Sequence, residues 1–257
     1  SIELHFAVLP ALARNKKPDP VVFVAGGPGQ SAIALAGPIS EMLARFGNRR
    51  DIVLVDQRGT GRSAPLRCDD HHPGAPLAET ADVRAQAQRA LECLARLQAL
   101  PHGDLRQYTT AIASADLEAV RLALGARQLN LVGVSYGTRV ALDYLRQFPQ
   151  SVRRVVLDGV APPDMVLPAA AALDAQAAFD AMLAACEADA GCAGHHPQLR
   201  ALWQALLKTL PRPIEVTHPL TGRAENLQLT RDMLLGMVRT ALYSPVLASG
   251  LPAALQA

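Results

Sequence analysis

Gly133-Val134-Ser135-Tyr136-Gly137 is the stretch of this 257-residue chain whose residue types and spacing suit nucleophilic chemistry. The apolar run Leu129-Asn130-Leu131-Val132 climbs into it and a helix-like pattern follows, which is the strand, turn and helix context that a G-x-S-x-G nucleophile elbow needs. So sharp a turn strains the serine backbone, and the neighbouring positions must be small; Gly133 and Gly137 meet that need. The Ser135 hydroxyl then stands clear of the sheet edge, placed to attack a carbonyl. The Tyr136 amide, first in the following helix, points outward with no helical partner and suits an oxyanion. Taken alone, the same five residues also read as a Gly-Ser-Gly turn that merely joins a strand to a helix.

A second oxyanion donor must come from another strand end. Val21-Val22-Phe23-Val24-Ala25 is a continuous apolar run of the length and branching of a strand buried on both faces, and it ends in Gly26-Gly27-Pro28-Gly29. Glycines around a proline fix a loop whose amides no side chain covers, and Gly27 N–H is the candidate donor. Asp51-Ile52-Val53-Leu54-Val55-Asp56 is a further buried strand, followed by Gln57-Arg58-Gly59-Thr60-Gly61-Arg62-Ser63. That loop lacks the Gly-Lys-Ser/Thr of a phosphate-binding loop and the spacing of a dinucleotide fingerprint, so nucleotide binding is rejected. Asp56 and Arg58 are instead expected to tie the loop to its neighbours.

The remaining elements must carry these loops. Residues 2–12 read as extended, 39–47 as helical, and 80–100 and 114–125 as amphipathic helices, with Leu91, Leu94 and Gln98 on one stripe and Leu117, Val120 and Leu124 on the other. Residues 136–148 form a helix stopped before Pro149, and Val152 to Leu157 the next strand. Strands alternating with helices predict an α/β fold: a mostly parallel sheet covered on both faces, with its site at the strand C-terminal ends.

Half of the residues are apolar, enough for a full core in one large domain or a domain with an insertion. A formal charge of +2 without basic clusters predicts no nucleic-acid partner. No apolar run reaches the length of a membrane span, and the first residues do not form a charged segment followed by an apolar one. The four cysteines allow three connectivities; local pairing favours Cys68 with Cys93 and Cys186 with Cys192, the latter two in a polar turn. Two disulfides imply an oxidising compartment, so a secreted or periplasmic protein; four free thiols would suit the cytosol. Neither pair has the ligand spacing of a zinc site, and no metal or cofactor is predicted.

Four motifs in order, Ala25-Gly26-Gly27-Pro28-Gly29, Asp56-Gln57-Arg58-Gly59-Thr60-Gly61-Arg62-Ser63, Gly133-Val134-Ser135-Tyr136-Gly137-Thr138 and Val156-Leu157-Asp158-Gly159-Val160, resemble those of the α/β-hydrolase aminopeptidases. The likeness is greatest to the secreted tripeptidyl-aminopeptidase branch, relatives of proline iminopeptidase; Ser-Tyr-Gly-Thr and Cys68 after Asp-Gln-Arg-Gly are similar to that branch, whereas cytosolic proline iminopeptidases more often carry Gly-Gly-Ser-Trp-Gly. It covers residues 20–165 well and the rest loosely. It implies that Ser135 forms an acyl-enzyme with the Gly27 and Tyr136 amides as oxyanion hole, acting on amino-terminal residues or short peptides. Ala25 departs from the pattern, since relatives often carry His there.

Residues 1–161 are then the N-terminal part of a hydrolase core, and 162–257 a mainly helical cap, with helices near 167–190 and 198–210 and an extended pair near Pro213-Ile214-Glu215-Val216 and Leu227-Gln228-Leu229. Caps of this family restrict access to the site. Glu187, Asp189 and Glu225 are the acids there available to a substrate amino group. The triad order Ser, acid, His leaves only His195, His196 and His218 after Ser135, all in the cap-like region and read as solvent-facing, and Asp158 reads as structural. The expectation is that the chain ends before the triad acid and histidine, with a second chain or a C-terminal segment completing the core. A carboxylesterase would use the same machinery. A truncated or degenerate hydrolase acting as a binding protein is the non-enzyme alternative, because a serine without its base loses on the order of a million-fold in rate in a related triad.

Overall fold

The computed structural model describes residues 1–68, 73–167 and 169–256. The chain divides into two compact units: Ser1–Asp69 with Glu92–Met165 (unit 1), and Asp70–Leu91 with Val166–Ala257 (unit 2). Unit 1 is built on five strands, β1 (Phe6–Leu9), β2 (Val21–Val24), β3 (Ile52–Val55), β4 (Leu129–Val134) and β5 (Val152–Asp158), in the order β1-β3-β2-β4-β5. β1 runs antiparallel to β3 and the other pairings are parallel. The extended reading of residues 2–12 thus narrows to four strand residues on an edge.

The β2 and β3 runs are apolar throughout because both of their faces are buried. On one face Val22, Val24, Val53, Val55 and Leu131 pack against α5 (Thr110–Ala123) and α6 (Tyr136–Gln147). On the other, Val21, Phe23, Ile52, Leu54 and Val132 meet Ile39 of α1 (Ala36–Met42) and Leu43, ahead of the short α2 (Ala44–Gly47). Leu54 and Leu131 are 0% exposed, and burying each leucine contributes about 1.5–3 kcal/mol.

The expected helix over 80–100 is two, α3 (Leu77–Ala81) and α4 (Val83–Gln98). Asp82 divides them: it is extended, and its carboxylate accepts from the Arg84 and Ala85 amides. Leu91 and Leu94 are exposed, since a periodic stripe shows which residues share a face but not whether anything covers it. α5 starts at Thr110, four residues before the expected start, because Thr109 caps it by accepting from the Ile112 amide.

Unit 2 contains α7 (Ala169–Ala188), α9 (Leu199–Lys208), the hairpin of β6 (Arg212–Thr217) and β7 (Ala224–Leu229), and three helices that the sequence reading missed, α8 (Ala190–His195), α10 (Arg231–Leu242) and α11 (Pro245–Gln256). Its core gathers Phe179, Leu183, Leu199, Trp203, Val238 and Leu251. The disulfides are Cys68–Cys93 in unit 1 and Cys186–Cys192 in unit 2, with Cα separations of 5.7 and 5.1 Å. Cys186 and Cys192 lie in α7 and α8 rather than in a polar turn, because Asp189 caps α8 through the Cys192 amide and restarts the helix at once.

Candidate active site

Three strand ends of unit 1 converge at Ser135. It links β4 to α6 with φ 54° and ψ −122°, a left-handed conformation that an L-residue adopts only under constraint. The constraints are visible. A Cβ on Gly133 would stand 2.6 Å from the Gly137 carbonyl oxygen, and one on Gly137 would run into the Val24 carbonyl, so the elbow closes only with glycine at both. The Ser135 amide donates to the Asp158 carbonyl at 2.9 Å, which ties the elbow to the end of β5. Its carbonyl accepts from the Thr138 amide and hydroxyl at 2.9 and 2.6 Å, and Thr138 Oγ1 accepts in turn from the Ala161 amide. The backbone of Ser135 is therefore committed while its side chain is exposed, does not cap the helix, and has no hydrogen-bond partner among the described residues.

The glycine loop after β2 approaches the same place. A Cβ on Gly26 would lie 3.0 Å from the Val134 carbonyl and 3.2 Å from Ser135 Cβ, which explains a glycine there. Gly27 has φ 104°, a glycine conformation, and is followed by a cis bond to Pro28. Ala25 has only its backbone to offer, and Gln57 Nε2 donates to its carbonyl at 3.4 Å. The far end of the loop is held by Asp56, 1% exposed: one carboxylate oxygen accepts from Ser31 Oγ at 2.6 Å and the Ile33 amide at 3.2 Å, the other from the Arg62 amide at 3.2 Å. Arg58 makes a two-pronged ion pair with Asp116, both contacts 2.6 Å, and donates to the Gln107 carbonyl. Asp56 and Arg58 do tie the loops together, and the signal in the sequence was polar residues at the mouths of buried strands. The part of Gln57 was missed.

Charge in unit 1 is handled by the scaffold. Burial pushes the Asp143 carboxyl up, but hydrogen bonds from Arg146, Ser114 and Gln147 outweigh it and hold the group below its usual range. The Arg121 hydrogen bond does the same for Glu118 against burial, with help from Tyr144, whose own hydroxyl burial and Glu118 push well above the phenol range.

The histidines after Ser135 are engaged within unit 2. His195 Nδ1 lies 2.7 Å from the Gly191 carbonyl and His196 Nδ1 2.7 Å from Gln256 Oε1. His218, expected to face solvent, is 3% exposed: its Nδ1 accepts from the Leu220 and Thr221 amides and its Nε2 lies 3.2 Å from the Ala75 carbonyl. It is buried because it organises the β6–β7 turn. The candidate acids are likewise occupied. Glu187 pairs with Arg200 at 3.0 Å, Asp189 caps α8, and Glu225 accepts from the Leu77 amide at 2.6 Å. Among the described residues no three His, Cys, Asp or Glu side chains cluster as metal ligands.

The family model for the alpha/beta hydrolase fold matches residues 19–239. The chain belongs to the alpha/beta hydrolase family. Within it, this alpha/beta hydrolase is 36% identical over 165 residues to a tripeptidyl aminopeptidase of Streptomyces lividans, a match covering 58% of this chain and 30% of the relative. It is 32% identical over 168 residues to the serine protease Hip1 of Mycobacterium tuberculosis, covering 59% and 31%. A proline iminopeptidase of Xylella fastidiosa is 29% identical over 148 residues, covering 57% and 34%. The match thus spans about a third of the length of these curated relatives. Among solved structures, a proline iminopeptidase-related protein of Thermus thermophilus is 25% identical with a TM-score of 0.38, covering 61% of this chain and 40% of the other.

Proposed function

We propose that this alpha/beta hydrolase is a serine exopeptidase that removes amino-terminal residues or short peptides through an acyl-enzyme on Ser135. The observation that carries the reading is the elbow: a serine forced to φ 54° between two obligatory glycines, with its hydroxyl free. A fold tolerates such strain where the exposed group is used. The Gly27 and Tyr136 amides would hold the oxyanion, the latter at the α6 N-terminus where backbone N–H groups lack helical acceptors. The peptide substrate follows from the relatives' names, and the two disulfides favour a secreted or periplasmic location. Unit 2 takes the substrate-selecting part that caps play. The base and acid come from a second chain or a C-terminal segment, because His195, His196 and His218 already serve unit 2.

The binding-protein reading keeps one observation in its favour, that Ser135 Oγ has no hydrogen-bonded base among the described residues. A fluorophosphonate serine probe decides between the two. Incubated with the native protein, it is expected to label Ser135 alone, with Ser135→Ala unlabelled. A folded native protein that takes up no label would overturn the hydrolase reading and leave a binding role.

A further inference from the structure

Thr138 lies in the first turn of α6 with 0% exposure, and its hydroxyl is where two segments meet. It donates to the Ser135 carbonyl at 2.6 Å and accepts from the Ala161 amide at 2.9 Å. Bonding back to a carbonyl three residues earlier is ordinary for a helical threonine. The bond from Ala161 is not, because it arrives from the segment beyond β5. That same segment takes the other polar group of the elbow, since the Ser135 amide donates to the Asp158 carbonyl at 2.9 Å. Both backbone groups of Ser135 are therefore fastened to residues 158–161, the amide directly and the carbonyl through the Thr138 hydroxyl. The fastening closes a ring around the serine. Gly159 runs past within it, where an added Cβ would stand 3.9 Å from the Ser135 nitrogen.

Between a carbonyl and an amide only a group that both accepts and donates fits, and a hydroxyl is the smallest side-chain group that does so. Neither the helix nor the segment requires it. The Thr138 amide already donates to the Ser135 carbonyl at 2.9 Å. Arg139, next in α6, holds the segment farther along by donating to the Ala161, Pro162 and Met165 carbonyls at 3.5, 2.7 and 3.1 Å. What the hydroxyl adds is the link itself, at the residue whose backbone is forced to φ 54°. We infer that Thr138 is a positioning residue for Ser135: its hydroxyl ties the serine carbonyl to residues 158–161 and so fixes the strained backbone and the direction of Oγ. The inference rests on the reading of Ser135 as the nucleophile. Without the hydroxyl the Ser135 carbonyl loses its tie to the segment, the strained turn relaxes, and Oγ shifts relative to the amides of the oxyanion hole.

The test follows labelling of the native protein over a range of fluorophosphonate concentrations, with folding checked by circular dichroism. Thr138→Val keeps the shape and removes both donor and acceptor. Its maximal labelling rate is expected to fall about ten- to a hundredfold, as for a misplaced reacting atom, with the half-saturating probe concentration unchanged. Thr138→Ser restores the hydroxyl without the stiffening methyl and should label within about threefold of wild type. Arg139→Gln loosens the segment without touching Ser135 and should label as wild type does. A folded Thr138→Val that labels at the wild-type rate, a Thr138→Ser that restores nothing, or equal slowing by Arg139→Gln would each overturn the inference and leave the nucleophile standing. An unlabelled wild type would overturn the nucleophile and this role with it. Should Thr138→Val fail to fold, hydrogen exchange in the wild type decides: the Ser135 and Ala161 amides should exchange at a common rate, because one opening frees both, and rates more than about tenfold apart would overturn the ring.

Discussion

The two units spend similar residue types differently. In unit 1, β2 and β3 bury every residue, and loops at the strand ends are fixed by buried polar groups such as Asp56. In unit 2 the 20-residue α7 buries only Phe179, Leu183 and Cys186, and the strands β6 and β7 bury only Leu229. α7 is long and apolar enough to cross a membrane by length and composition alone, with 17% of its window buried. The contrast teaches that a helix can be apolar for a groove it lines as well as for a core it fills. The central strands β2 and β3 leave no such freedom, because both of their faces are covered, whereas edge strand β5 leaves Val156 51% exposed.

Glycine gives the sharpest way to break that contrast. Gly137→Ala should destabilise unit 1 by more than about 4 kcal/mol, because the new methyl meets the Val24 backbone and neither strand nor helix can retreat. Gly236→Ala should instead stabilise unit 2 by up to about 1 kcal/mol through helix propensity alone. Hydrogen exchange in β2 and β4 reads the first effect, and urea unfolding followed by Trp203, the chain's single tryptophan, reads the second. A mild Gly137→Ala would show that the elbow is not closed by backbone contact.

The disulfides come next in size. Cys68–Cys93 joins positions 25 apart and Cys186–Cys192 positions 6 apart. Constraining the unfolded chain is then worth about 3.5 kcal/mol for the first and about 2 kcal/mol for the second. Paired alanine substitutions and denaturant midpoints should give that order, and the reverse order would mean that the short bridge holds native packing in unit 2.

Acid gives the smallest difference. Burial pushes the Asp19 carboxyl up, but hydrogen bonds from Asn130 and Arg50, with the Arg50 and Arg153 charges, hold it below its ordinary 3.8. A carboxylate lowered in the folded state adds stability above 3.8 that is lost as the pH falls through the lower folded value. Asp51, Glu118 and Asp143 act in the same sense within unit 1. Among the described residues of unit 2 only exposed Asp180 is lowered, by Gln176 and Arg200, where water screens the pair. Unit 1 should therefore lose stability more steeply below about pH 4, and Asp19→Asn should flatten its slope; equal slopes in the two units would remove the distinction.

Much of unit 1 was legible because its signals are local. Runs such as Val21–Val24 and Ile52–Val55 are long, apolar and bounded by glycine, and Ser135 carries its glycines with it in sequence. The caps were harder. Asp82 and Thr109 moved helix boundaries by accepting hydrogen bonds from amides two and three residues on, which no hydrophobic period records. His218 defeated the reading for another reason: its burial depends on Ala75, 143 positions away, and on the turn amides that it accepts.

By itself the sequence determined the α/β alternation, the elbow and the glycines that the elbow requires, because strand burial and backbone strain restrict residue types over a few neighbouring positions. Only the tertiary structure decided that Gln57 holds the loop carrying Gly27, that the acids Glu187, Asp189 and Glu225 serve the scaffold, and that Asp232 and Arg239 line one groove. These depend on which polar groups meet once distant segments pack, and a polar side chain carries no mark of its partner until burial removes water as the alternative.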